Sequence, residues 1–150
     1  WEEYREAAVK VREAGGYITN FSDSDINQFA GFVWQAGGQW FENDGDAWTV
    51  NLTGEESTTV ADYWQDLIEN DLVSTYPAWT DEWNNAYNSG EVWTWNSAVW
   101  GANSILSGAP DTSGNWSVAL APQWNAGEEK AGNWGGSSIA VFNGTEHLYE

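Results

Sequence analysis

No cysteine occurs anywhere in the chain, so neither disulfides nor thiolate metal sites hold the fold; that absence leaves an extracellular address open. The only histidine, His147, sits near the end, and no serine stands on a strand-to-helix elbow of the hydrolase kind. Nucleophilic and general-base catalysis therefore lack their usual carriers, and no enzyme is expected. Each Gly-Gly pair lacks the lysine and the spacing of a phosphate-cradling loop. Basic residues are scarce as well: four Lys and Arg face 23 Asp and Glu, a formal charge of -19. Such a surface repels phosphate backbones, which excludes nucleic acid as a partner. The acids are scattered among Asn, Ser, Thr and Gly, as on the solvated surface of a secreted or salt-exposed protein. No apolar run approaches the length of a membrane span. With no initiating methionine, signal peptide or lipid-attachment cysteine, the 150 residues read as an internal piece.

What is present in excess is tryptophan. Thirteen indoles are more than one core of this size buries, and unburied tryptophan belongs where an apolar face meets polar ligand edges. Hydrophobic spacing predicts a helix over Trp1 to Ala14, with Glu2 and Glu3 in its first turn and Gly15-Gly16 as its stop. Tyr17 to Phe21 suits a short strand. Ser22, Asp23, Ser24 and Asp25 offer N-caps for a helix through Ile26, Phe29, Phe32, Val33 and Ala36, ended by Gly37-Gly38.

Glu42 to Asp46 superficially suits a calcium loop, but with Gly45 at the sixth position the first ligand falls on Trp40, which has no side-chain oxygen. A turn between Trp40-Phe41 and a strand Trp48 to Leu52 is expected instead. Thr53 and Glu56 have the spacing of a capping box before a helix whose stripe is Val60, Tyr63, Trp64, Leu67 and Ile68. Thr80 caps a short helix from Asp81 to Asn88, with Trp83 and Tyr87 on one face, closed by Gly90. Trp64 and Trp83 lie on helical stripes and are expected in the core.

From Gly90 to Leu106 the chain reads as a corner. Val92 to Trp95 alternate as a short strand, with Trp93 and Trp95 on opposite faces, and Ser97 is placed to cap a helix carrying Trp100 in its first turn. Further on, Trp116 to Ala121 suits a strand ended by Pro122, and Gln123 to Trp134 is a polar loop. Asn143 to Glu146 is a turn, and Thr145 is placed to cap a helix that the last residues begin.

Gly90, Glu91, the apolar strand, the turn Asn96-Ser97-Ala98 and Trp100 resemble, in order and spacing, the extracellular solute-binding proteins of sugar ABC importers, the maltose-binding-protein-like family. The resemblance extends over the whole chain as element order and short motifs, and it implies that Gly135-Gly136 is followed by an apolar strand, Ser137 to Phe142. It implies an α/β fold: one lobe, of the C-terminal type, of a two-lobed periplasmic-binding-protein fold, with helices packed around a small mixed sheet. Residues 1–150 would then be a single incomplete lobe, with the first lobe and the C-terminal helices outside the chain. The implied function is binding of an oligosaccharide outside the cell, in an interlobe cleft, and delivery to ABC permease subunits. The receptor would be a monomer, lipid-anchored or periplasmic, with no cofactor and no metal.

The residues expected to carry this are Trp100 as stacking platform, by its family position at the helix start, with Trp95 or Trp134 as a second. Gly135 and Gly136 are small enough to let backbone amides approach a ligand. Asn96 lies in the turn of the corner. Asp23, Asp25 and Asn27 are candidates for hydrogen bonds to sugar hydroxyls, with helix capping as their competing role; Trp95 and Trp134 have burial in the core as theirs. The alternatives are a stand-alone carbohydrate-binding module or lectin, for which a β-sandwich is expected, and a glycoside hydrolase fragment using carboxylates such as Asp23, Asp25 or Glu91.

Overall fold

The computed structural model describes residues 1–147. Five α-helices, one short 3-10 helix and a two-stranded sheet make up its regular structure: α1 (Glu2–Glu13), α2 (Ile26–Ala36), β1 (Phe41–Asn43), β2 (Trp48–Val50), α3 (Glu55–Glu69), α4 (Asp81–Asn88), α5 (Gly101–Gly108) and the 3-10 helix Pro110–Thr112. The α/β class expected from the sequence is the class observed, and the helical content is foreign to a β-sandwich module. None of the described helices is long and apolar enough to cross a membrane.

Three extended segments run side by side through the middle. Tyr17 to Phe21 is the central one, bridged in parallel to Val92 on one side and Ser74 on the other. Tyr17 N donates to the Glu91 carbonyl (2.8 Å), Thr94 N to Ile18 O (2.8 Å), Ser74 N to Thr19 O (3.1 Å) and Phe21 N to Ser74 O (2.8 Å). β1 and β2 form a separate antiparallel hairpin, Phe41 opposite Val50 and Asn43 opposite Trp48. Its turn is held by Asp44, whose Oδ1 accepts from Asp46 N (3.1 Å) and Ala47 N (2.8 Å). Those amides hold the Asp44 carboxyl below the ordinary carboxylate value, and the segment is a turn, as its residue order predicts.

Two buried clusters flank the central segments. One joins α1, α2 and α3 through Ala8, Ala30, Val33, Val60, Trp64 and Leu67; the other joins α4, α5 and the corner through Trp83, Ala86, Tyr87, Val92 and Ile105. Trp64 and Trp83 are buried, as expected of helical stripes. In the first cluster Phe21 stacks on Trp64 at 4.5 Å and 12°, Phe32 at 4.9 Å and 28°, and Trp1 meets the same indole at 5.8 Å and 68°.

Several local expectations are corrected. Thr53 does not cap α3: Gly54 takes that position with no side-chain bond, and Thr53 stands one residue too early to reach the first amides. Ser97 does not cap α5, which starts at Gly101. Trp100 occupies the cap position, with its ring packed among other indoles, and a turn bonded from Gly101 N to Ala98 O precedes the helix. Residues 116–122 and 137–142 are not strands. Val118 and Leu120 are 93% exposed and Ile139 99%, because no backbone ladder among the described residues satisfies either segment. The helix to be capped by Thr145 falls largely outside the described residues.

Two outcomes follow. Leu67→Ala should lower unfolding stability by about 2–5 kcal/mol, whereas Ile68→Ala, at a half-exposed neighbour on the same helix, should stay within about 1 kcal/mol; urea titration separates them. Arg5 donates to the Asp66 carboxylate through Nε and Nη2, tying α1 to α3 and holding that carboxyl below its ordinary 3.8. A lowered native value stabilises above the unfolded value and is lost as pH falls through the native one. Urea midpoints of wild type and Asp66→Asn should therefore differ slightly at pH 7 and converge below pH 4.

Candidate ligand-binding site

The corner and two distant loops bring indoles together. Trp95 follows the extended segment that pairs with the central one through Trp93 and Thr94, Trp100 stands at the head of α5, Trp79 lies just before the cap of α4, and Trp134 arrives from the long loop. Trp100 and Trp134 centroids are 5.3 Å apart, Trp95 and Trp100 5.6 Å, Trp95 and Trp134 5.9 Å, and Trp79 lies 5.7 Å from both Trp95 and Trp100. Trp83, beneath them, is 5.1 Å from Trp95. Most pairs meet edge to face, the arrangement that the ring quadrupoles favour.

Within this group the rings differ in what remains open. Trp95 is enclosed by Trp79, Trp83, Trp100 and Trp134, and its edge also meets Gly101, where a Cβ would stand 3.2 Å from the ring. Trp100 Nε1 donates to the Trp134 carbonyl (3.2 Å), so its polar edge is taken and only ring surface is left to offer. Gly135, in the left-handed region at φ +79°, lies against the same indole edge, 3.4 Å from where a Cβ would be; Gly136 follows at φ +120°. Both backbone angles are ones that side-chain-bearing residues rarely adopt.

A cleft of about 100 Å³ adjoins the group, between Gln28, Gly31 and Gln35 of α2, the turn Asn96 to Ala98, and Trp134. Asn96 is oriented by a relay. Its Nδ2 donates to the Tyr4 hydroxyl (2.9 Å), which lies 2.7 Å from Thr94 Oγ1, and that hydroxyl donates to the Ile18 carbonyl (2.6 Å). With the Thr94 proton committed to Ile18, Tyr4 must be the donor to Thr94 and the acceptor from Asn96. Burial pushes the Tyr4 phenol above its ordinary value, which keeps that proton in place.

The loop carrying Trp134 is fastened to α2 from two directions. Gln35, buried, accepts from Trp1 Nε1 (3.1 Å) and donates to the Pro122 (2.8 Å) and Lys130 (3.3 Å) carbonyls. Gly132 and Gly31 meet backbone to backbone: a Cβ on Gly132 would collide with the Gly31 carbonyl oxygen. Glycine in mid-helix costs about 1 kcal/mol relative to alanine, and here it is what lets the loop approach.

The expected site residues fall into two groups. Trp95, Trp100, Trp134 and Gly135 are in one place, and Asn96 lines the cleft beside Trp134. Asp25 caps α2, accepting from Asn27 N (3.0 Å) and Gln28 N (3.4 Å); Asp23 and Asn27 are exposed at the same helix start and do not line the cleft. Two participants are absent from the sequence reading. Gln28 lies one turn into α2, and an amide within an apolar helix face was its only signal. Trp79 sits in a loop broken by Pro77, where no periodicity points to a partner. Among the described residues no group of three or more His, Asp or Glu side chains is arranged to hold a metal.

Comparison with known proteins gives this arrangement a context. The model of the bacterial extracellular solute-binding protein family matches residues 1–150. An arabinooligosaccharide-binding protein of Halalkalibacterium halodurans is 26% identical over 152 residues, which take in 98% of this chain and 34% of the relative. The ABC transporter associated binding protein of B. animalis subsp. lactis, solved with β-1,6-galactobiose, shares 34% identity and superposes with a TM-score of 0.79, over 89% of this chain and 34% of that one. The galacto-N-biose-/lacto-N-biose I-binding protein of Bifidobacterium longum, solved with lacto-N-biose, shares 25% identity with a TM-score of 0.66, over 73% of this chain and 27% of that one. The chain thus spans about a third of the length of these relatives or less, and all three are binding proteins by name. With its whole length matched by the family model and its fold shared with two sugar receptors, the chain belongs to the bacterial extracellular solute-binding proteins.

Proposed function

We propose that the protein binds an oligosaccharide outside the cell and hands it to an ABC importer, and that residues 1–150 form most of one wall of its ligand cleft. The observation that carries this reading is the convergence of Trp95, Trp100 and Trp134 from separate stretches into one partly open aromatic group. A pyranose presents a C–H face and a rim of hydroxyls. Stacked indoles take the face, while fixed polar groups in a water-excluding cleft take the rim.

Trp100 is the platform, with Trp134 and Trp95 beside it. Asn96, its amide nitrogen committed to Tyr4, turns its carbonyl oxygen to a sugar hydroxyl; the Gly135 and Gly136 amides approach closely enough to donate. Asp23, Asp25 and Asn27, at the head of α2 and outside the lining of the cleft, are acceptors for hydroxyls of a ligand that extends beyond it, Asp25 in addition to capping. No cofactor or metal takes part.

The second wall belongs to a first lobe encoded outside these residues. Val118, Leu120, Ile139 and Phe142 support this: they are apolar and almost fully exposed, on stretches with no backbone ladder among the described residues, and such stretches ordinarily find a partner. Sugar bridging both lobes favours the closed form, and the closed form docks on the permease subunits. The full-length receptor is a monomer held at the cell surface by a lipid anchor, or free in a periplasm.

Titration calorimetry of the full-length protein with β-1,6-galactobiose, lacto-N-biose and an arabinooligosaccharide tests the reading: at least one should bind. Trp100→Ala should weaken that binding at least about tenfold, on the order of 1.4 kcal/mol, in a variant that circular dichroism shows to be still folded. Full affinity in that variant would remove the platform. Residues 1–150 alone should bind the same sugar at least about a hundredfold more weakly than the full-length receptor, because half of the cleft is missing.

A further inference from the structure

Among the described residues two non-glycine positions have a positive φ, Asp71 at 56° and Trp79 at 68°. The first is explained by its place. Asp71 directly follows the end of α3, its amide and that of Leu72 return to Ile68 and Leu67, and aspartate is among the residues that tolerate the left-handed region. Trp79 has no such account. It ends no helix, and a bulky aromatic there is a genuine outlier. Strain of this kind persists only where its surroundings over-determine it. They do so here: Ala78 N donates to Ser22 Oγ (3.1 Å), Tyr76 N to Asn20 Oδ1 (2.8 Å), and Thr80 Oγ1 to the Pro77 carbonyl (2.8 Å) while accepting from Trp83 N (3.3 Å).

What the strained backbone achieves is the position of the indole. Trp79 lies against Trp83 at 5.2 Å and against Trp100 at 5.7 Å, inclined to Trp100 by 41°, and it keeps 52% of its surface open while Trp83 keeps 3%. Two neighbouring indoles inclined in this way cannot both stack on one flat sugar ring. They can stack on two rings joined by a flexible glycosidic linkage, one ring to each indole.

We propose that Trp79 is a second stacking platform beside Trp100, and that it sets the receptor's preference for ligands of at least two sugar units over single sugars. This assignment rests on the reading of the aromatic group as a sugar site. Trp100 would hold one ring of the ligand and Trp79 the next, so the contribution of Trp79 is felt only by a ligand long enough to reach it.

The test uses the full-length protein, calorimetry with β-1,6-galactobiose, lacto-N-biose and galactose, and the variants Trp79→Asn, Trp79→Phe and Trp100→Ala. Asparagine accepts the left-handed backbone, so Trp79→Asn keeps the turn while removing the ring. It should weaken disaccharide binding tenfold or more, with galactose affinity changed less than twofold and the thermal midpoint unchanged; Trp79→Phe should restore most of the loss. Disaccharide affinity within threefold of wild type in Trp79→Asn overturns the assignment. So does an equal loss for disaccharide and galactose together with a lowered midpoint, the signature of a ring that merely covers Trp83. Loss in Trp100→Ala but not in Trp79→Asn leaves the sugar site standing and removes Trp79 alone. Wild-type protein that binds neither of these disaccharides nor an arabinooligosaccharide overturns both.

Discussion

Trp64 is the ring on which the rest of the arrangement depends. It leaves α3 and is faced by Phe21 from the central extended segment and by Phe32 from α2, with Trp1 meeting it edge-on. One fully buried indole thus fixes the mutual placement of the central segment and the helices on one side of it. The burial of such a side chain and its stacked partners is worth several kcal/mol, a large part of a marginal domain's stability. Because the central segment also bonds to Glu91, Trp93 and Thr94, the orientation of the tryptophan corner is inherited from that packing rather than set locally.

The same economy shows in the loop that carries Trp134. No ladder among the described residues holds it; from α2 the side chain of Gln35 bonds to the Pro122 carbonyl just before it and the Lys130 carbonyl within it, and Gly31 opens room for its backbone. A buried amide with its partners in place is well suited to this, since leaving it unsatisfied would cost more than the bonds contribute net. Asn96 is oriented by the same means, through Tyr4 and Thr94.

Much of this was legible in the sequence where spacing carries the information. The stripe of Val60, Trp64 and Leu67, the Thr80 cap and the Gly37 stop read directly from residue order, as does a cap for α2 among Ser22 to Asp25, of which Asp25 takes the place, because the forces involved act within one or two turns. The resemblance around Gly90 to Trp100 located the aromatic corner. Spacing failed where the outcome depends on distant partners. Ser97 has a cap's chemistry, yet Trp100 is held by Trp79 and Trp134 and delays the helix; Val118 and Leu120 have a strand's alternation and nothing described to pair with. Trp79 could not be found at all, since its backbone conformation is imposed by Asn20 and Ser22, more than fifty residues away.

The aromatic group is assembled from uncharged contacts: indole to indole, indole nitrogen to carbonyl, amide to phenol. The molecule's formal charge of -19 resides elsewhere, on carboxylates that are largely solvated. Neutral contacts are little affected by ionic strength, while a surface this anionic responds to it strongly. Changes in the salinity of the surroundings can therefore alter how the protein meets other macromolecules while the geometry of its indole cage stays as it is.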